Sequence, residues 1–210
     1  MNFKKKSCYL ILLLIIATIL VLSFYFDREI IKFISSLRNI YLSDLFFGVK
    51  FLDNEIIIVG FLTILLLWRK KSRKWVLPLW VSMGITAITS LILKILVRRT
   101  RPFMQGVITL LPGILDELKY HIWDFSFPSF DTAFAFSAVP ILSKLYPKFK
   151  YVWIIFATLI ALSRIYFGLH FLSDIISGAL IGILIGFIIV KVEDEKKIFQ
   201  KFYNKISKGK

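Results

Sequence analysis

The sequence is poor in the residues from which disulfide frameworks and metal centres are built. A single cysteine, Cys8, excludes an intramolecular disulfide and a cysteine-rich metal site. There are two histidines, His121 and His170, and no cluster of carboxylates, so nothing points to a metal or another cofactor. Acidic residues number 13 against 28 lysines and arginines, a formal charge of +15. On a soluble protein that excess would suggest nucleic acid. Here the cations punctuate apolar runs and form no face of their own, an arrangement that suits anionic lipid headgroups and excludes a nucleic-acid partner. No internal repeat and no linker divides the chain, and residues 1–210 read as one domain. What is abundant is apolar sequence. Hydrophobic residues make up 58% of the chain and the mean hydropathy is +0.76, whereas soluble domains carry roughly 45–50%.

The excess is concentrated in runs. Residues 8–26, 56–68, 75–93, 129–145, 151–166 and 171–190 read as six transmembrane helices, which makes the chain an all-α, six-helix membrane bundle. Lys4, Lys5 and Lys6 before the first run resemble the start of a signal peptide. The run itself is longer than the usual ~7–15 residue h-region and has no small-x-small cleavage site. The second run is short against the ~20 residues a bilayer core requires and draws on Phe51 and Leu52. Between the first two runs, Ile30, Ile31, Phe33, Ile34 and Leu37 are spaced for a short amphipathic helix on the membrane surface. A polar loop containing Pro102, Pro112 and Gly113 separates the third and fourth runs. The charged tail, 191–210, reads as a frayed helix in water.

With six spans and both termini inside, the inner segments hold 18 of the 28 lysines and arginines. The positive-inside rule therefore predicts a multi-pass cell-membrane protein with cytoplasmic termini. Four of the remaining cations crowd at the outer end of the third span: Lys94, Arg98, Arg99 and Arg101. A headgroup belt of snorkelling side chains accounts for such clusters on the inner side. On the outer side an anionic ligand is the more direct cause.

Lys94 followed after six residues by Arg101-Pro102 resembles the first signature of the type 2 phosphatidic acid phosphatase, or lipid phosphate phosphatase, family. Ser163-Arg164, five residues, His170, three residues, Asp174 resembles the third signature in full. The resemblance covers roughly 94–174, and the hydropathy points to the family's membrane branch. In the predicted topology Lys94 ends one span, 128–131 open the next, Ser163 and Arg164 close another, and His170 and Asp174 open the last. All four helix ends then share the outer side.

The chemistry follows from residue types. On a helix His170 and Asp174, four apart, share a face, so the carboxylate can hold one imidazole nitrogen and leave the other free to attack phosphorus. An ordinary helical ion pair is the plainer reading of that spacing taken alone. Arg101 and Arg164 carry planar donors for phosphate oxygens and Lys94 a point charge. The resemblance implies a phosphohistidine at His170, hydrolysed by water without a metal. It also implies phosphate binding by Lys94, Arg101, Ser129, Phe130, Ser163 and Arg164.

The second signature departs from the family pattern. Pro-Ser-Gly-His stands here as Pro128-Ser129-Phe130-Asp131. The family glycine lets helix-start amides approach the phosphate, and the family histidine protonates the leaving oxygen. A carboxyl group, with a reference pKa near ~3.9, is a poor proton donor at neutral pH. Structurally, Ser129 and Asp131 suit an N-cap and a first-turn acid. His121, in the preceding loop, is a candidate substitute acid. The expected activity is removal of phosphate from a lipid headgroup of the undecaprenyl diphosphate, phosphatidylglycerol phosphate or phosphatidic acid type. The alternatives are phosphotransfer to another acceptor and a catalytically silent lipid-phosphate-binding protein.

Overall fold

The structure is a computed structural model that describes residues 3–52, 54–111 and 125–208. Those residues form eight α-helices and no strand: α1 (Phe3–Ser36), α2 (Ile40–Leu52), α3 (Glu55–Trp68), α4 (Val76–Val97), α5 (Phe130–Leu145), α6 (Lys150–Phe167), α7 (Leu172–Lys196) and α8 (Ile198–Lys208). Counted with their leading 3-10 turns, three helical stretches are long and apolar enough to cross a membrane: Arg73–Val97, Pro147–Phe167 and Leu172–Lys196. α2 and α3 pass that test together, bent by 64° at the break between them. α5 has 16 residues, about 24 Å of helix against a hydrocarbon core of about 30 Å.

Two segments differ from expectation. Residues 30–37 are not a separate surface helix. Residues 30–36 are the end of α1, which runs unbroken for 34 residues because it contains no glycine or proline to interrupt it, and Leu37 lies in the turn that follows. The helix that follows is α2, whose Phe46 and Phe47 pack on Tyr166 and Phe167 at the end of α6. The tail is also more ordered than a frayed helix. α7 continues to Lys196, Lys197 turns with φ 52, and α8 begins. The buried Glu193 carboxylate accepts the first amides of α8, Phe199 N–H at 2.9 Å and Gln200 N–H at 3.0 Å.

Lipid tails are as apolar as leucine, so helices in a bilayer are held by close packing of small residues and by buried polar bonds. α5 and α7 show the first. Gly178, Gly182 and Gly186 make a stripe on α7 that meets Ser129, Ala133, Ser137 and Pro140 of α5. A Cβ at Gly178 would lie 2.6 Å from the Ser129 carbonyl oxygen, and one at Gly182 would overlap the Ala133 carbonyl. The backbones touch, and Ser129 N–H donates to the Asp174 carbonyl at 3.0 Å. Polar bonds tie on the neighbours. Ser82 Oγ of α4 donates to Ser137 O (3.1 Å), and Trp80 Nε1 donates to Thr63 Oγ1 of α3 (2.9 Å). Gly182→Leu will therefore force α5 off α7. It should cost about 1–3 kcal/mol or more, read as a lower unfolding midpoint in detergent. An unchanged midpoint would contradict the close approach.

Candidate active site

Three chain reversals bring the signature residues to one end of the bundle. α4 stops at Arg98, which adopts the left-handed conformation (φ 51) with its N–H donating to Lys94 O at 3.0 Å. That conformation costs a residue with a Cβ roughly 1–2 kcal/mol, and it turns Arg99 and Arg101 back beneath the helix ends. Lys94, buried in the last turn of α4, donates to the Phe125 carbonyl. α6 stops at Gly168 (φ 86), where a Cβ would also overlap the Ile108 side chain. The left-handed conformation favours glycine there. The third reversal leads into α5. Ser129 occupies its N-cap position, and Asp131 lies in its first turn.

His170 lies just ahead of α7 and is 1% exposed. Its Nδ1 is 2.7 Å from the Ser126 carbonyl oxygen. A carbonyl only accepts, so Nδ1 carries the proton and Nε2 keeps its lone pair. Nε2 faces Arg101, whose Nη1 lies 3.3 Å away and also donates to Leu169 O at 3.1 Å. Asp174, the expected partner of the ring, lies beside Nδ1. Its Oδ2 is 3.8 Å from Nδ1, beyond hydrogen-bond reach. His170 precedes the helix, so a shared helical face does not arise. The Asp174 carboxylate instead folds back to accept Phe171 N–H (2.8 Å) and the Ser126 hydroxyl (2.5 Å). It reaches the imidazole at one remove, through Ser126.

The other candidates divide. Arg164 Nε pairs with Asp131 Oδ2 at 3.2 Å, so the residue at the position of the family histidine sits against the arginine of the third signature. The Phe130 ring stacks on Phe134, 5.5 Å between centroids, and lies along α5. Ser129 and Ser163 are at the site but wholly buried. The Ser129 hydroxyl pairs with Thr132 Oγ1 (2.9 Å) and does not cap an amide. The Ser163 hydroxyl donates to Ile160 O of its own helix (2.6 Å). Lys94, Arg101 and Arg164 thus supply the charge, and these two hydroxyls are engaged within the protein. His121 lies outside the described residues.

Sequence reasoning missed Ser126, Asp27 and the role of Arg99. Asp27 ended an apolar run, and an ionisable residue at membrane depth is itself a signal of function. Ser126 carried no signal, because its part is played partly by a backbone carbonyl.

Burial, and after it the Arg101 charge, push the His170 imidazole down to about 3. Unfolded histidine titrates near ~6.5. Between those values the unfolded chain binds a proton that the folded chain does not, so stability rises with pH across the window. Acidification from about pH 7 to about pH 5 should therefore destabilise the protein more than it destabilises His170→Gln, measured by thermal unfolding in detergent. Equal sensitivity would refute a neutral buried imidazole.

A helical membrane protein that buries a base-form imidazole among arginines and lysine at its helix ends belongs to the class of membrane phosphoryl-handling proteins. The PAP2 superfamily profile matches residues 75–198. The chain is 30% identical to an undecaprenyl-diphosphatase of Sulfolobus acidocaldarius over 93% of its length and 98% of that protein. Among solved structures, the PAP2-type phosphatidylglycerolphosphate phosphatase of Bacillus subtilis superposes with a TM-score of 0.66 at 23% identity, covering 94% of this chain and all of that one. Aquifex aeolicus LpxE superposes with 0.64 at 31% identity, covering 79% and 94%. The chain is a member of the PAP2 superfamily, a membrane lipid phosphatase and so a phosphoric ester hydrolase.

Proposed function

We propose that the protein removes phosphate from a polyprenyl diphosphate or a phospholipid monophosphate on the outer side of the cell membrane, through a phosphohistidine at His170. The observation that carries this reading is the Nε2 lone pair of a neutral, buried His170 facing Arg101 at 3.3 Å. In this mechanism a phosphate entering between Arg101, Arg164 and Lys94 meets Nε2 as the nucleophile. The P–O bond to the lipid breaks as the N–P bond forms, the cations stabilise the developing charge, and water then hydrolyses the N–P bond. Nδ1–H, held by the Ser126 carbonyl, disperses the positive charge the ring acquires.

In the proposed topology α1, α3 extended by the end of α2, and α4 to α7 make six crossings, with both termini cytoplasmic. The Arg69-to-Lys74 run, Lys144, Lys148, Lys150 and the α8 tail all attach to the helix ends opposite His170, which supports that orientation under the positive-inside rule. Asp131 shapes the substrate choice. A lipid alkoxide leaves only with protonation, since its conjugate acid has a pKa near water's ~16. A phosphomonoester leaving from a diphosphate has a second pKa near ~6 and needs little help. Diphosphate lipids such as undecaprenyl diphosphate, the substrate in the name of the Sulfolobus relative, are the favoured class.

The Asp131–Arg164 ion pair supports a second reading, a silent lipid-phosphate binder in which that carboxylate blocks turnover. Phosphate release from a polyprenyl diphosphate and a phospholipid monophosphate in detergent, beside His170→Ala, separates the two. Release above that control, faster on the diphosphate, is expected. Release at the control rate on both lipids would establish the binder.

A further inference from the structure

Asp27 of α1 lies outside the matched family segment and has no part in the mechanism above, yet it is 2% exposed and bonded to the site. The N-cap of α7 is Phe171, whose side chain has no acceptor for the first free amides. Asp27 supplies one from another helix. Its Oδ1 accepts Ser173 N–H at 2.9 Å, and its Oδ2 accepts the Ser173 hydroxyl. The same Oδ2 receives Arg99 Nη2 at 2.6 Å. Arg99 then spans to α7, with Nη1 donating to Ser173 Oγ (2.6 Å) and to Asp174 Oδ1 (2.7 Å). Its guanidinium lies over the Phe171 ring, 4.2 Å from the centroid, a stacked placement that fixes its plane. Its carbonyl accepts Ser126 N–H at 2.7 Å. Asp174 is thereby held at both oxygens, and Ser126 is held by its amide while its carbonyl holds His170.

We propose that Asp27 and Arg99 are positioning residues, a partly buried bridge from α1 that fixes Asp174 and Ser126 and, through them, the ring of His170. This rests on the catalytic reading of His170 given above. A buried ion pair seldom adds stability over apolar packing. A bridge of one guanidinium between two carboxylates at this point is better explained by what it orients. Their bonds run to Ser173, Asp174 and Ser126 and not to His170 itself, so both act through neighbours.

The test is a cycle with Asp174. Asp27→Asn keeps the shape and the acceptor for Ser173 N–H but weakens the hold on Arg99. On a polyprenyl diphosphate in detergent it should lower kcat about 10–100-fold, the usual effect of losing an outer partner of a site, with KM nearly unchanged. Asp27→Asn/Asp174→Asn should be no slower than Asp174→Asn, because both act through one carboxylate. Glu193→Gln, a buried acid at the far end of the bundle, should leave kcat alone. Wild-type kcat in Asp27→Asn beside a slow Asp174→Asn, or losses that multiply, would overturn the bridge and leave the mechanism standing. A fully active Asp174→Asn would overturn the role of Asp174, and the bridge with it. Nitrogen spectra of histidine-labelled protein read the ring without turnover. His170 should be the Nδ1–H tautomer in the wild type and a mixture in Asp27→Asn, and an unchanged single tautomer would overturn the proposal. Should Asp27→Asn fail to fold, Ser173→Ala removes only the hydroxyl that both residues share. The same losses are expected there, and none would overturn it.

Discussion

Asp131→His will raise hydrolysis of a phospholipid monophosphate by about 10²–10⁴-fold, the range a positioned general acid contributes, and hydrolysis of a polyprenyl diphosphate far less. Asp131 lies in the first turn of α5 with Oδ2 3.2 Å from Arg164 Nε, so a histidine there stands beside the bound phosphate. The alkoxide that leaves a monophosphate lipid depends on a proton, whereas the phosphate that leaves a diphosphate does not. The gain must therefore be unequal. Asp131→Asn separates the two consequences of the aspartate. It removes the anion that competes with substrate for Arg164 but supplies no proton, so KM should fall on both lipids while the ratio of their kcat values stays put. Adding Phe130→Gly should change little, because the Phe130 ring already lies against Phe134. Equal gains on the two lipids in Asp131→His would remove the leaving-group argument and leave only the electrostatic one.

The second large effect is at His170. His170→Ala should lower phosphate release on either lipid by at least ~10⁴-fold, the scale on which covalent catalysis depends on its nucleophile. The wild type, quenched in alkali during turnover, should carry protein-bound phosphate that is labile to acid, and His170→Ala should carry none. The proposed mechanism makes the assignment specific to one atom. Nδ1 is committed to the Ser126 carbonyl at 2.7 Å, so phosphate must attach at Nε2. Phosphate trapped at Nδ1, or at another residue, would refute the mechanism even if His170→Ala were inactive.

The parts legible in the sequence were those with a short-range or periodic signal. The resemblance to the family signatures singled out Lys94, Arg101, Arg164 and His170, and the apolar runs marked the helices at whose ends they lie. Residues 30–37 misled because their periodicity fits both a surface helix and the end of a longer one, and only continuity with α1 decides. The glycines of α7 recur every four residues, a spacing that reads as a close-packing face and went unused. Asp174 was expected to share a helix face with His170, and its bonds run instead to Phe171 N–H, Ser126 and Arg99. Helical spacing predicts a shared face only when both residues are in the helix, and His170 is not.

The sequence by itself determined the class of solvent and the inventory of charge. Apolar runs of this length dictate helices in a bilayer, because a helix satisfies its backbone hydrogen bonds within a single segment. Cations at their ends dictate an anionic partner. Which polar groups hold which was decided only by the tertiary structure. Asp27, Arg99, Ser126 and Asp174 are separated by up to 147 positions in the chain, and they meet because Gly178 and Gly182 let α7 lie against α5 while Arg98 turns the chain back beneath both. Hydrogen bonds act over about 3 Å, a distance that no spacing along a sequence can specify.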